Sequence, residues 1–163
     1  TKYGCAMLRL VSDRGQIQAK LEFLHPADVF GSMQQTPILY EGHLYGVGMD
    51  KRLTCLDLKG RVVWTSTDRF GFGPYLIANN KIYVMDDTGV LTMLEATPAG
   101  YRPLARAELF ADGVESWGPM AMASGRLILR DLTRMICVDV TQATNAATLP
   151  NRPGATPGLQ SAP

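Results

Sequence analysis

The feature that most constrains the fold of this chain is an internal repeat. Three segments share one order of elements: a proline, an apolar run, a turn, a second run, a polar break and a third run that ends in an acid. The opening residues are Pro37, Pro74 and Pro119, and the closing acids are Asp57, Glu95 and Asp139. Each acid follows its proline by 20, 21 and 20 residues, and the prolines lie 37 and 45 residues apart. Repeats of about 20–50 residues identify solenoids and propellers.

Within each repeat the apolar runs are short, and they are rich in β-branched and aromatic residues. The first repeat has Ile38-Leu39-Tyr40, then the turn Glu41-Gly42, then His43-Leu44-Tyr45-Gly46-Val47. Such runs are typical of β-strands joined by tight hairpins. The repeat spacing brackets the roughly 40–50 residues of a four-stranded propeller blade. We therefore predict an all-β chain that forms part of a β-propeller, with four-stranded antiparallel blades of which about three are present.

The repeats divide the chain into a propeller segment, residues 1–142, and a tail, residues 143–163. The expected units of the propeller segment are a half blade at 5–24, blades at 36–66 and 74–110, and an incomplete blade at 119–140. Because the half blade starts almost at the first residue, we expect the chain to be part of a longer propeller. The tail is rich in Pro, Gly and Ala and has no apolar periodicity, so we expect it to be disordered.

Composition and cysteine usage exclude several classes of function. Sixteen Lys plus Arg against 15 Asp plus Glu leave a net charge of +1, which offers a nucleic acid no electrostatic attraction. No apolar stretch approaches the roughly 18 residues that a membrane span needs. Three distant cysteines predict neither a disulfide framework nor a zinc knuckle. Cys55 and Cys137 occupy the same repeat position among apolar neighbours, so we expect both to be buried.

One part of the first repeat resembles a known family. The run Cys55-Leu56-Asp57-Leu58-Lys59-Gly60-Arg61-Val62-Val63-Trp64 resembles the Ala-Leu-Asp … Gly-x-x-x-Trp signature of pyrroloquinoline-quinone-like (PQQ-like) β-propeller repeats. Pro37-Ile38 and Gly42-His43-Leu44-Tyr45-Gly46-Val47 resemble that family's opening, Pro-Val-Val … Gly-x-Val-Tyr-Val-Gly. Through the repeat alignment the resemblance covers roughly residues 5–140. The second repeat departs from the pattern, because it has a Glu for the usual Asp and no Gly-x-x-x-Trp after it.

The resemblance implies structural roles for the residues of this repeat signature. The acids Asp57, Glu95 and Asp139 are expected to tie hairpins, as carboxylates commonly do by accepting backbone N–H bonds at turns. Gly60 is expected to turn the chain. Trp64 is expected to fill space between blades, although a stacking platform for a ligand is the alternative.

PQQ-dependent dehydrogenases of this family hold the quinone in a central funnel, with an adjacent cysteine pair, a tryptophan floor and Ca²⁺. This chain has no adjacent cysteines, and its two histidines, His25 and His43, fit no metal-ligand spacing. We therefore predict no catalytic or metal-binding residues, and no PQQ, haem or zinc bound by this segment on its own. The candidates for a cofactor contact are Trp117 and Glu115, which lie on a loop leading into an inner strand.

Two functions stay open at this point. The resemblance implies either a non-catalytic binding or scaffold module, or the C-terminal part of a PQQ-dependent quinoprotein dehydrogenase whose cofactor residues lie outside this chain. We prefer the module, and expect no enzyme activity of this segment, because an enzyme propeller draws funnel residues from most of its blades. The expected partners are the remaining blades of the parent chain and other envelope proteins. The location that the resemblance implies is the bacterial periplasm or the cell exterior.

Overall fold

The computed structural model describes residues 4–32 and 34–141, and each regular element in that part of the chain is a β-strand. The strands are β1 (Cys5–Asp13), β2 (Gln16–His25), β3 (Ile38–Tyr40), β4 (His43–Val47), β5 (Arg52–Asp57), β6 (Val62–Arg69), β7 (Tyr75–Ala78), β8 (Lys81–Met85), β9 (Val90–Glu95), β10 (Pro103–Glu108), β11 (Ala121–Ala123), β12 (Arg126–Arg130) and β13 (Met135–Asp139). The predicted all-β class is confirmed.

The strands form four antiparallel sheets in chain order. β1 and β2 form a two-stranded ribbon, β3–β6 form sheet 1, β7–β10 form sheet 2, and β11–β13 form sheet 3. Each sheet is a meander in which neighbouring strands in sequence are neighbours in space. This is the architecture of a partial propeller with four-stranded blades, as predicted. The predicted tail, 143–163, lies outside the described residues.

A tight two-residue turn sets the point at which the chain reverses between the first two strands of each unit. In sheet 1, Tyr40 pairs with His43 across the two-residue turn Glu41-Gly42. Both turn residues have positive φ, 45° and 74°, which matches the twist of the flanking strands. The other two-residue turns have the same signs of φ: Arg14-Gly15, Asn79-Asn80 and Ser124-Gly125. Gly and Asn tolerate this conformation, so these residues set the hairpin register.

The first core lies between sheets 1 and 2. It contains one apolar face of each sheet, and its largest fully buried side chains include Tyr45, Leu53, Ile82 and Leu94. In sheet 2 these residues alternate with those that point to the other side, as the two-residue period of a strand requires. Sheet 1 therefore packs face to face on sheet 2.

The second core lies between sheets 2 and 3. Tyr83 and Met85 on β8 alternate with the residues of the first core and meet Leu127 and Leu129 of β12. Phe110, from the loop after β10, is also buried there. Sheet 2 is thus covered on both faces, which explains why its strands β8 and β9 are nearly continuous buried runs.

The ribbon and sheet 3 stand at the two ends of this stack. The ribbon contacts sheet 1 through Phe23 and His25, and His25 Nε2 lies 2.5 Å from the carbonyl oxygen of Gly60. Its other face is exposed. Sheet 3 packs on sheet 2 with one face only, and Cys137 lies on the other face and is exposed. The prediction that Cys137 is buried was therefore wrong, because no sheet of the described chain covers that face; Cys55 is buried as predicted.

Candidate functional site

The repeat acids lie at the turn that follows the third strand of each unit. Asp57 Oδ1 accepts the backbone N–H groups of Lys59 and Arg61 at 2.9 Å each, and its Oδ2 lies 2.6 Å from Arg61 Nε. The backbone N–H of Arg61 is the largest cause that holds the pKa of Asp57 below its usual value. The carboxylate is thereby engaged in closing the turn between β5 and β6.

The other two repeat acids make related contacts. Asp139 Oδ1 accepts the backbone N–H of Thr141 at 2.9 Å and also its hydroxyl. Glu95 Oε2 instead lies 3.3 Å from Arg102 Nη1, across the longer turn between β9 and β10. The structure therefore places each acid of the repeat at a turn of its own unit and brings no two of them together.

Asp131 closes the β12–β13 turn. Its carboxylate accepts the backbone N–H groups of Thr133 and Arg134 and forms an ion pair of 2.6 Å with Arg134 Nη2. The hydrogen bond from the Arg134 guanidinium is the largest cause that lowers the pKa of Asp131 to about 2. Sequence analysis did not single out this residue, although Asp at the first turn position is a recognised signal.

Trp64, on β6, joins sheet 1 to sheet 2. Its indole lies tilted against Tyr45 and Tyr101, with ring centroids 6.0 and 6.1 Å away. Its Nε1 donates a hydrogen bond of 2.9 Å to the carbonyl oxygen of Thr97, in the turn between β9 and β10 of sheet 2. The indole is buried, so it occupies the space between sheets and presents no free ring face to a ligand.

Trp117 belongs to a second cluster, which we call the Asp87 clasp: Lys51, Phe72, Asp87 and Trp117. Asp87 Oδ1 accepts the backbone N–H of Phe72 at 2.6 Å and the indole N–H of Trp117 at 3.0 Å. The rings of Phe72 and Trp117 meet edge to face, with centroids 6.1 Å apart. The clasp joins segments from all three larger units of the chain.

Lys51 adds a cation to the clasp. Its Nζ lies 3.8 Å from Asp87 Oδ2 and 4.9 Å from the centre of the Phe72 ring. A cation near a carboxylate and over an aromatic face is held by both. Asp87 therefore has a partner for each carboxylate oxygen, and the clasp is closed by its own members.

The segment around Trp117 contributes further contacts. Gln35 Nε2 donates a hydrogen bond of 3.3 Å to the carbonyl oxygen of Trp117. Glu115 is exposed, with a positive φ of 50°, and its carbonyl oxygen accepts the N–H of Trp117. Ser116 is fully buried, and its hydroxyl has no hydrogen-bond partner in the described part of the chain. Trp117 and Glu115 are thus neighbours; the indole N–H and the carbonyl oxygen of Trp117 bond to protein, whereas the buried Ser116 hydroxyl does not.

Sequence analysis missed Asp87 as a member of this cluster. The Asp86-Asp87-Thr88-Gly89 run indicates a hairpin turn with solvated charges, and Asp86 does cap that turn by accepting the N–H groups of Thr88 and Val90. Asp87 instead points to partners that are 15 and 30 residues away. No local pattern indicates such contacts. The turn needs only one carboxylate, Asp86, so the second acid in succession was a signal that Asp87 has another role.

The described residues contain no group of three or more His, Cys, Asp or Glu side chains that could hold a metal ion. Within the same residues, no helix is long and apolar enough to cross a membrane. In the described residues, carboxylates close the turns and the sheets pack on one another. Large apolar side chains are exposed at the two ends of the stack, on the ribbon and on sheet 3.

The chain was compared with known proteins. No family model matches it, and no curated protein gives a significant match. Solved structures do match: AztD from Citrobacter koseri at 14% identity, with a TM-score of 0.56 over 86% of this chain and 40% of that one. BamB from Moraxella catarrhalis matches at 15% identity, with a TM-score of 0.54 over 73% of this chain and 34% of that one. A quinohemoprotein alcohol dehydrogenase from Comamonas testosteroni matches 59% of this chain and 16% of that one, at 21% identity and a TM-score of 0.47.

These likenesses are likenesses of fold, and the chain spans well under half the length of each solved structure. Together with the four stacked sheets, the likenesses to AztD and BamB define the described residues as part of a β-propeller. More particularly, its fold is like that of AztD and BamB, which are PQQ-like β-propellers. The resemblance found in residues 55–64 is thereby confirmed at the level of fold.

Proposed function

We propose that this chain is a non-catalytic binding or scaffold module that acts through the surfaces of its sheets. The observation that carries this proposal is the Asp87 clasp. Trp117, the candidate for a cofactor contact, has its indole N–H bonded to Asp87 and its ring edge against Phe72. A residue engaged in this way joins blades and is poorly placed to orient a cofactor.

The repeat acids support the same proposal. Asp57 and Asp139 use their carboxylates on turn N–H groups, and Glu95 on Arg102. We propose that these acids, with Gly60 and Trp64, are the structural signature of the repeat. On this basis we divide the described chain into a half blade at 5–24, blades at 36–66 and 74–110, and an incomplete blade at 119–140.

The proposed partners are further propeller blades and other envelope proteins, in a periplasmic or extracellular location. The location rests on the resemblance of residues 55–64 to PQQ-like repeats. The partner class rests on the exposed apolar side chains at both ends of the stack, because large exposed apolar patches mark interaction sites.

Alcohol-dependent dye reduction with added PQQ and Ca²⁺ tests the proposal against its alternative, the C-terminal part of a PQQ-dependent dehydrogenase whose cofactor residues lie outside this chain. The assay uses the longest natural protein that contains this sequence, with its Trp117→Ala variant in parallel. We expect no turnover by either protein. Turnover by the unmodified protein that the Trp117→Ala variant loses would overturn the proposal and favour the alternative.

A further inference from the structure

Strand β6 forms an edge of sheet 1, and within the described residues no further strand pairs with its outer side. With eight residues it is the longest strand of the three larger sheets. Residues 62–67, which we call the β6 window, read Val-Val-Trp-Thr-Ser-Thr and contain no charge, glycine or proline. Val62 and Val63 are 47 and 41% exposed, and Thr65 and Thr67 are exposed as well. A long, uncharged edge of this kind is a template for an added strand.

The corresponding edge strand of sheet 2 has a different composition. β10 begins at Pro103, which has no N–H to donate, and it carries Arg106 and Glu108. Proline and charged side chains are the residues by which natural edge strands discourage pairing. Both β6 and β10 pair irregularly with their inner neighbours, so the difference between them lies in the side chains. Sheet 1 therefore has the more receptive edge.

The edge of β6 is not a surface on which another blade stacks. Sheets 1, 2 and 3 contact one another through their faces, as the two cores show. Blades added beyond the ribbon or beyond sheet 3 by the same stacking would also cover faces. The stacking that joins blades thus leaves this edge open.

We propose that the edge of β6 binds an extended segment of another polypeptide, which adds a fifth strand to sheet 1 and has an acidic residue at each end of an uncharged run. The inference rests on the proposed function, since it names the partner chemistry of one sheet of the module. In this mode of recognition the backbone hydrogen bonds supply affinity and the side chains supply specificity.

Two arginines at the ends of the β6 window favour acidic residues in the partner. Arg61 precedes the window, and its side chain is 76% exposed although its Nε is bonded to Asp57. Arg69 follows the window at an exposed position. The acid between them and the window, Asp68, accepts the hydroxyl of Tyr101 in sheet 2. Opposite charges across neighbouring strands stabilise their pairing, so acids opposite the two arginines would fix the register.

A second copy of this chain would be a poorer occupant of the edge. When two copies of one strand pair antiparallel about a two-fold axis, one residue lies opposite itself. Pairing centred on Thr65 would set Arg61 of each copy opposite Arg69 of the other, and pairing centred on Trp64 would set Arg69 opposite Lys59. These two registers overlap the β6 window most, and both bring like charges together, which is destabilising.

Fluorescence anisotropy of a labelled synthetic peptide tests the proposal. The probe is Glu-Thr-Val-Thr-Val-Thr-Val-Thr-Glu, whose glutamates are spaced to lie opposite Arg61 and Arg69, and the protein is the longest natural protein that contains this sequence. We expect saturable one-to-one binding. Only every second residue of an added strand points its N–H at the edge. Of two probes, one N-methylated at its valines and one at its threonines, one should therefore lose binding and the other should keep it.

Variants of the protein locate the site. Thr65→Glu puts a negative charge in the β6 window and should weaken binding of the probe, whereas Ala107→Glu, at an exposed position of β10, should leave binding unchanged. Arg69→Glu should weaken binding by up to about fivefold, the size that an exposed ion pair gives. The same variant should strengthen binding of a probe that has lysines in place of the glutamates. Far-ultraviolet circular dichroism of each variant checks that it is folded.

Absence of binding, equal weakening by Thr65→Glu and Ala107→Glu, or the same result for both N-methylated probes would overturn the proposal. A dimer of the protein that Thr65→Glu dissociates would also overturn it, because the occupant would then be a second copy. The binding assay contains no PQQ and measures no turnover. Its failure is therefore distinguishable from a failure of the proposed function in the dye-reduction assay.

Discussion

Single carboxylates decide how the units of this chain are joined. Asp57 and Asp131 close turns within one sheet, whereas Asp87 links three units through Phe72, Trp117 and Lys51. The difference follows from the direction of the side chain. A carboxylate that points along its own turn accepts backbone N–H groups of that turn, and one that points across the stack contacts neighbouring loops. Residue type is the same in each case, so position within the turn determines the role.

Replacing Asp87 by Ala should destabilise the protein by about 1–3 kcal/mol. The substitution leaves the backbone N–H of Phe72 and the indole N–H of Trp117 without their acceptor. Urea unfolding measures the loss, and tryptophan fluorescence reports the changed surroundings of Trp117. Asp28→Ala, at an exposed position, is the control and should stay within about 0.5 kcal/mol of the unmodified protein. Equal stability of the two variants would show that the Asp87 clasp does not stabilise the protein.

Asp131 should make stability depend on pH in the acid range. Its pKa in the folded chain is about 2, whereas an unperturbed Asp has a pKa of about 4. A folded-state pKa below the unfolded value contributes stability that is fully present above about pH 4 and is lost as pH falls towards 2. Melting temperatures between pH 2 and 6 should therefore fall less for Asp131→Asn than for the unmodified protein. Parallel curves for the two proteins would contradict this role.

At the scale of elements, the order of strands in each sheet could be predicted from the sequence, because each strand pairs with its neighbour in sequence. Alternating apolar residues and turn residues specify hairpins, and hairpins specify meanders. The packing of one sheet on another is not local. The Asp87 clasp and the contact of His25 with Gly60 join bonded residues 15 to 36 positions apart, and the sequence carries no periodic signal for either. The exposure of Cys137 likewise depends on whether a further sheet covers sheet 3, which its own repeat cannot show.

Gly60 is a glycine at which an added methyl group should separate two elements, the ribbon and sheet 1. A Cβ there would lie 2.7 Å from Phe23 Cγ and 2.9 Å from His25 Nε2, and φ is +83°. Gly42 has a similar φ of +74° and no neighbour within 4 Å. Both Ala variants meet the roughly 1–2 kcal/mol cost of left-handed backbone, but only Gly60→Ala also displaces the ribbon. Urea unfolding should show the larger loss for Gly60→Ala, and losses of equal size would exclude this ribbon contact.

At the scale of the whole molecule, burial is graded from the middle of the stack to its borders. Sheet 2 is enclosed by two cores, and β8 and β9 are its buried strands. β10, in the same sheet, is exposed along its whole length. A stack of this kind has no single centre, so its stability should be highest where a sheet has neighbours on both sides.

Hydrogen exchange resolved by strand tests most directly whether the sheets stack face to face in chain order around sheet 2. Buried strands between two cores open only with large unfolding events, whereas an exposed outer strand opens locally. We predict the slowest amide exchange in β8 and β9 and much faster exchange in β10. Exchange in β10 as slow as in β8 and β9, or faster exchange in β8 than in β10, would contradict the stacked arrangement.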